Sequence, residues 1–310
     1  MRPQKIAHLP DRGVVSVTGP DASKLLQGLI TNDAATLETK PDDVHFEAAS
    51  AHAGLLSPQG KILFDFFCVR TLDGFVLDIA RDQAGALAKR LTMYKLRAAA
   101  TIKDVSDQYQ VMALWGKDAC SSGPTTRTVT FSDPRHAGLG TRILAEARFA
   151  TDIASATNGF TCDPAAYHAH RITLGVPEGG KDYAFGDTYP HEADFDLFNG
   201  VSFTKGCYVG QEVVARMHNK SIVRKRIVRL TGTGPLSEGA DILMGDVTIG
   251  RIGSVDGVNA LAMLRLDRAM EAGDKGVALT ANGVIVTGDS LALEHYRAAA
   301  AGRPAAPDFA

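Results

Sequence analysis

The sequence predicts an α+β fold that closes on a small β-barrel, and three observations predict it. Strand and amphipathic-helix patterns alternate irregularly, hairpin signals rather than helical crossovers join several strands, and the chain beyond Arg224 breaks into short β-rich pieces. A doubly wound parallel sheet would need regular strand–helix–strand units. Hairpins argue against one.

Taken in order, Val14-Val15-Ser16-Val17 reads as a strand, and Gly19-Pro20-Asp21 then opens a helix with proline and a carboxylate at its positive end. Ala22, Leu25, Leu26 and Leu29 fall at i, i+3, i+4 and i+7, one buried face. Thr31-Asn32-Asp33 ends that helix with turn and cap chemistry. Ser57-Pro58-Gln59-Gly60 is a turn, Lys61 to Val69 a strand rich in β-formers, and Phe75 to Ile79 completes a hairpin after Asp73-Gly74. Leu87, Leu91 and Tyr94 mark an amphipathic helix between Asp82 and Arg97. Cys120 to about Leu139 has the Ser, Thr, Gly and Pro content of a loop. Val247 to Gly250 and Ala260 to Leu264 are barrel strands, with Gly245-Asp246 and Asp256-Gly257 as hairpin turns. The expected domains are 1–222, an α+β region of two subdomains, 223–297, the barrel, and 298–310, a fraying tail.

Composition narrows the function. A net charge of -2 over 310 residues gives no whole-molecule field for nucleic acid or an anionic membrane, so either partner would need a local patch. No apolar run approaches the roughly 20 residues that span a bilayer. The opening Met1 to His8 lacks a signal-peptide core, so a cytosolic protein is expected. Cys68, Cys120, Cys162 and Cys207 stand far apart with no Cys-x-x-Cys pair, so reduced single thiols are expected and no metal site is. Cys68 lies in an apolar run, where a buried thiol is ordinary.

The densest unusual segment runs from Pro190 to His218 and contains Lys205-Gly206-Cys207-Tyr208-Val209-Gly210-Gln211-Glu212. Gly206 and Gly210 permit a tight loop, and Val213, Val214 and Met217 continue with helical spacing. Cys207 then precedes a helix start, where backbone amides and Lys205 favour a thiolate able to attack electrophiles or ligate soft metals. The alternative, a plain turn with Cys207 packed inward, stays open on these residues alone. The basic run from Lys220 to Arg229 reads as a strand with snorkelling charges, or as a nucleic-acid contact centred on Arg224, Lys225 and Arg226.

Lys-Gly-Cys-Tyr-x-Gly-Gln-Glu resembles the signature of the YgfZ family, whose mitochondrial relatives assist iron–sulfur cluster maturation. Pro190-His191-Glu192-Ala193, Asn199 to Phe203, Val213 to Met217, Leu26 to Asp33 and Gln59 to Ile62 extend the resemblance over most of the chain. It implies a fold related to the T-protein of the glycine cleavage system, an aminomethyltransferase-like folate-binding region joined to a C-terminal β-barrel. It further implies tetrahydrofolate as cofactor, Cys207 as the functional thiol, and Asn32, Asp33, Tyr167, Lys205, Gln211 and Glu212 as candidate folate contacts. Tyr167 lies where some relatives place a tryptophan, which would give a flat pterin its wall. The implied partners are iron–sulfur enzymes or cluster-assembly proteins; the charge balance and the lack of a long apolar run speak against a membrane and disfavour nucleic acid, and a monomer is expected.

Departures from the T-protein pattern weaken an aminomethyltransferase reading. T-proteins carry paired carboxylates where this chain has Phe64-Asp65, and a glutamate where Thr173 stands. Glu178 or Asp182 could replace the latter. Three functions compete: a folate-dependent accessory factor for iron–sulfur proteins, a tetrahydrofolate-dependent one-carbon transferase, and an RNA-associated module linked to transfer-RNA modification.

Overall fold

The computed structural model describes residues 4–39, 47–116, 128–157, 159–220, 223–289 and 296–297. The chain divides into two compact units. The first takes in the described residues of Met1–Pro58, Ile62–His168 and Phe198–Gln211; the second those of Gln59–Lys61, Ala169–Leu197 and Glu212–Ala310.

The first unit begins with β1 (Lys5–His8), β2 (Arg12–Thr18), α1 (Ala22–Gln27), α2 (Ala35–Thr39) and β3 (Ser50–Leu56). It continues through β4 (Ile62–Thr71), β5 (Gly74–Ala80), α3 (Arg81–Lys95), β6 (Thr101–Asp104), β7 (Tyr109–Trp115), β8 (Thr128–Ser132) and β9 (Thr141–Glu146). Next come α4 (Ala150–Ala156), β10 (Phe160–Thr161) and α5 (Pro164–Thr173), whose last turns pass into the second unit. The strands form two five-stranded sheets, ordered β3-β4-β5-β2-β6 and β10-β1-β7-β9-β8.

The first sheet is buried on both faces, which explains the apolar run from Phe66 to Val69 in β4. Phe64, Phe66 and Cys68 point to the side of α1 and α3 and join Val15, Val17, Leu26, Leu87 and Leu91. Phe67 and Val69 point the other way, to Val111, Phe131 and Leu144 of the second sheet. At the β4–β5 hairpin Gly74 has φ +146°, and a Cβ there would sit 2.3 Å from the Val17 carbonyl oxygen. Only glycine fits.

The second unit holds α6 (Gln211–Lys220) from its second residue onward, then β11 (Lys225–Gly232), β12 (Asp241–Met244), β13 (Val247–Asp256) and β14 (Asn259–Arg265). After α7 (Leu266–Asp274), β15 (Leu279–Ala281) and β16 (Val284–Gly288) close the barrel in the order β11-β14-β13-β12-β15-β16. Leu230 pairs with Gly288, so the last strand returns to the first. Val228, Leu230, Ile242, Ile252 and Leu264 fill the interior, and Leu266 and Ala269 of α7 pack on them.

Two sequence expectations need correction. Thr128–Ser132 is a strand of the second sheet, not part of a loop from Cys120 to Leu139; the remainder of that expectation from 117 to 127 lies outside the described residues, as does the tail at 298–310. Asn219 and Lys220 end α6, and the basic strand begins only at Lys225. The second compact unit takes in 169–197 and 212–220 together with the barrel.

Candidate functional site

The loop from Phe198 to Gly210 is fixed within the first unit by the residues that follow α1. Thr31 is buried; its hydroxyl donates to the Gly200 carbonyl at 2.6 Å and accepts from the Gly54 amide at 2.8 Å. Its carbonyl accepts from the Ser202 amide at 3.0 Å. Asn32 donates from Nδ2 to the carbonyls of His52 at 2.8 Å and Asn199 at 2.6 Å. His52 bridges the Phe198 carbonyl at 3.1 Å and Asp65 Oδ1 at 2.9 Å. Asp33 Oδ1 accepts from the amides of Ala35 and Thr36 and so caps α2. The polar triad thus serves as cap and anchor.

Lys205 completes the attachment. Its Nζ donates to the Ile30 carbonyl at 2.8 Å and the Asn32 carbonyl at 2.6 Å, and lies 5.0 Å from the centre of the Tyr208 ring. Burial takes this ammonium partly out of water and holds its pKa down at about 8, with the charge of Asp33 working against the fall. Burial likewise pushes the Tyr208 phenol up to about 12.

Beyond the anchor the loop turns outward. Gly206 and Cys207 are exposed, and nothing lies within 4 Å of where a Gly206 Cβ would stand. Gly210, at φ +82°, then turns the chain into α6. Gln211 Oε1 accepts from the Tyr208 amide at 2.8 Å, reaching back three residues as a capping-box side chain does. Glu212 is exposed in the first turn of α6, where a carboxylate suits the positive helix end.

Among the described cysteines Cys207 is exposed, Cys162 half-buried and Cys68 fully buried. Burial pushes the Cys68 thiol up to about 12, against the opposing charge of Lys205. Cys120 lies outside the described residues. The outward loop is therefore the geometry Cys207 has, not the inward-packed turn.

Tyr167 occupies a different place from the one expected of a pterin wall. It is 1% exposed, packs edge-on against Trp115 at 5.5 Å, and its hydroxyl accepts from Arg142 Nη2 at 2.8 Å. Around it lies a buried network that sequence reasoning missed. Arg135 pairs with Asp133 and Arg12 with Asp78, while Arg12, Arg135 and Arg142 all lie 4.7 to 5.7 Å from the Phe67 ring centre. Burial opposes ionisation of Asp133, but the charge and hydrogen bonds of Arg135 hold its carboxyl down at about 2.

The acids weighed as T-protein replacements are also engaged. Asp65 holds His52. In the second unit Arg171, wholly buried, donates to Asp182 Oδ2 at 2.7 Å and Ser254 Oγ at 2.5 Å, with Glu178 Oε2 3.2 Å from its Nε. The Thr173 hydroxyl donates to the His170 carbonyl. In the basic run, Arg226 forms ion pairs with Asp194 and Asp196, and Arg229 with Asp289. Arg224 remains exposed, but a nucleic-acid contact centred on Arg226 loses its central charge to those carboxylates.

Comparison with known proteins places this geometry. The family model described as CAF17, C-terminal beta-barrel domain, matches residues 224–290. The Mycosarcoma maydis protein named iron-sulfur cluster assembly factor IBA57 homolog, mitochondrial, is 40% identical over 242 residues, covering 74% of this chain and 59% of that protein. The human iron-sulfur cluster assembly factor IBA57, mitochondrial, is 31% identical over 277 residues, covering 83% of this chain and 76% of that protein. The chain spans only a little over half of the fungal relatives from Mycosarcoma maydis and Neurospora crassa, at 59% and 52% of their lengths. The crystal structure of glycine cleavage system aminomethyltransferase T from Bartonella henselae matches with a TM-score of 0.74 at 18% identity, covering 94% of this chain and 86% of that one. The fold is aminomethyltransferase-like with a closed six-stranded barrel. The mitochondrial names of the relatives overturn the cytosolic expectation drawn from Met1 to His8.

Proposed function

Because the chain belongs to the IBA57 family of iron–sulfur cluster assembly factors, we propose that it helps assemble or maintain iron–sulfur clusters in client proteins, acting through Cys207. One observation carries the role of Cys207. An exposed thiol stands beside Gly206 on a loop whose root is pinned by Lys205 to the carbonyls of Ile30 and Asn32. A thiol so held is open to a partner, while its backbone is kept in register with the sheet. As thiolate it is a nucleophile and a soft-metal ligand, and a cluster or its iron is cargo here. The resemblance to YgfZ in the same loop supports the same assignment.

Tetrahydrofolate enters the proposal through the fold alone. Four of the six residues nominated to hold it are already engaged: Tyr167 is buried, Asn32 donates its amide to backbone carbonyls, Gln211 Oε1 accepts from the Tyr208 amide, and Lys205 is taken by two carbonyls. Asp33 caps α2 through one oxygen and Glu212 is exposed. No step is routed through folate. A folate ligand would not be held by Asn32 or Tyr167, and calorimetry with tetrahydrofolate reads this directly. Wild-type affinity in Asn32→Ala and Tyr167→Phe variants that remain folded is the expected result if it binds; a selective loss in either would restore them as contacts.

The transferase reading draws support from the same fold, but Asp65 is committed to His52 and Glu178 and Asp182 to Arg171. Loss of charge control at the folate nitrogens leaves it the weaker reading. The test is complementation. In a strain lacking its own family member, this chain should restore the activities of iron–sulfur enzymes and leave enzymes without clusters unchanged. Unrestored iron–sulfur enzymes despite normal amounts of the protein would sink the proposal.

A further inference from the structure

The turns at one end of the first sheet are tied together. Gly19 donates its amide to the Asp73 carbonyl, Asp21 its amide to the Ala99 carbonyl, and Ala99 its amide to Asp21 Oδ2 at 2.7 Å. Thr18 pairs with Gly74 on one side and Thr101 on the other. The β4–β5 hairpin tip, the start of α1 and the segment after α3 therefore form a single preformed platform.

That platform projects apolar side chains into solvent. Leu72 at the hairpin tip is 96% exposed, Leu96 just past α3 is 87% exposed, and Met93 on the last turns of α3 is 63% exposed. Leu96 adds a second cost. It stands at φ +49°, ψ -109°, a region that disfavours a residue with a Cβ, so the site carries strain with no packing to offset it. Glycine would suit the turn better.

The charge around these side chains is mostly positive. From Arg81 to Lys103 the chain carries Arg81, Lys89, Arg90, Lys95, Arg97 and Lys103 against a single acid, Asp82, and Lys24 is exposed on α1. Apart from Arg81, which pairs with Asp107, these cations enter no ion pair among the described residues. Asp21 and Asp73 are the acids at the platform itself, and Asp21 is already tied to the Ala99 amide. The local balance is positive although the whole chain carries -2.

We propose that this end of the first unit, led by Leu72, Met93 and Leu96 and ringed by Lys24, Lys95 and Arg97, docks on the surface of an anionic lipid bilayer. Side chains that stand almost fully clear of the protein lack concave surroundings of their own, and a fluid acyl boundary can close around them. The cations supply attraction to anionic headgroups, about 1 kcal/mol for each Lys or Arg near the surface. No helix among the described residues is long and apolar enough to cross a membrane, so the contact is peripheral.

The test is co-sedimentation of the whole protein with vesicles of phosphatidylcholine alone and with about one third phosphatidylglycerol, at low and high salt. Binding should appear on the anionic vesicles, fall with salt, and drop by about thirtyfold or more in Lys24→Glu/Arg97→Glu. Leu72→Ser/Leu96→Gly should lose binding yet melt no lower than wild type, since glycine relieves the turn. Absence of binding to anionic vesicles overturns the proposal, as does full binding by the leucine variant. Equal binding to neutral vesicles overturns it too, and so does salt-sensitive capture of an acidic protein without any vesicle binding.

Discussion

Lys205 donates its ammonium to the carbonyl of Asn32 at 2.6 Å, across 173 positions of sequence. With the second bond to Ile30, this ties the root of the Cys207 loop to the end of the α1 segment and makes the placement of the thiol depend on a lysine two residues away.

The pH dependence of Lys205 has a definite sign. Burial lowers its pKa from 10.5 to about 8, so between those values the unfolded chain keeps a proton that the folded chain has lost. Its contribution to stability is lowest below pH 8 and rises from about pH 8 to 10.5. Lys205→Met removes that titration. In urea unfolding, the stability of wild type relative to the variant should increase across this window; a flat or decreasing difference would contradict the assignment.

Thiol reactivity should follow exposure. Alkylation of the native protein at neutral pH, mapped by mass spectrometry, should modify Cys207 before half-buried Cys162, and Cys68 last, since Cys68 is sealed between sheet and helices with its thiol pushed up to about 12. Early modification of Cys68 would mean that the first sheet opens far more readily than its packing implies.

Arg171 should be the costliest single arginine of the second unit. Replacing it with Met leaves Asp182 buried without its cation and Glu178 with Lys181 alone, a loss of about 3–5 kcal/mol. Thermal unfolding checks this. Adding Asp182→Asn to the variant should recover part of the loss, and a fully additive further loss would show that the two side chains do not act as a pair.

Much of the fold was legible because burial leaves a period. Ala22, Leu25 and Leu26 announced the inner face of α1, and Leu87 and Leu91 that of α3. Thr128–Ser132 was hidden because its short polar-rich strand follows a loop-like stretch and has its meaning only beside β9. At the site, glycines around Cys207 disclosed a loop but left open whether the thiol faced outward, and helical spacing placed the start of α6 near Gln211. The partners of Lys205 were not legible, since backbone carbonyls carry no side-chain signature. The surroundings of Tyr167 were hidden for a related reason: its partners Asp133, Arg135 and Arg142 are charged residues whose burial only the packed sheets explain.

The central claim is that the Cys207 thiol performs the function while contributing little to the fold. Cys207→Ser, expressed in the strain that lacks its own family member, tests it most directly when client iron–sulfur enzyme activities are read beside the melting temperature of the purified variant. Cys207 is exposed, so the variant should melt within about 1 °C of wild type and yet leave those activities unrestored. Full restoration by a serine at this position would contradict the account and leave the loop a structural element only.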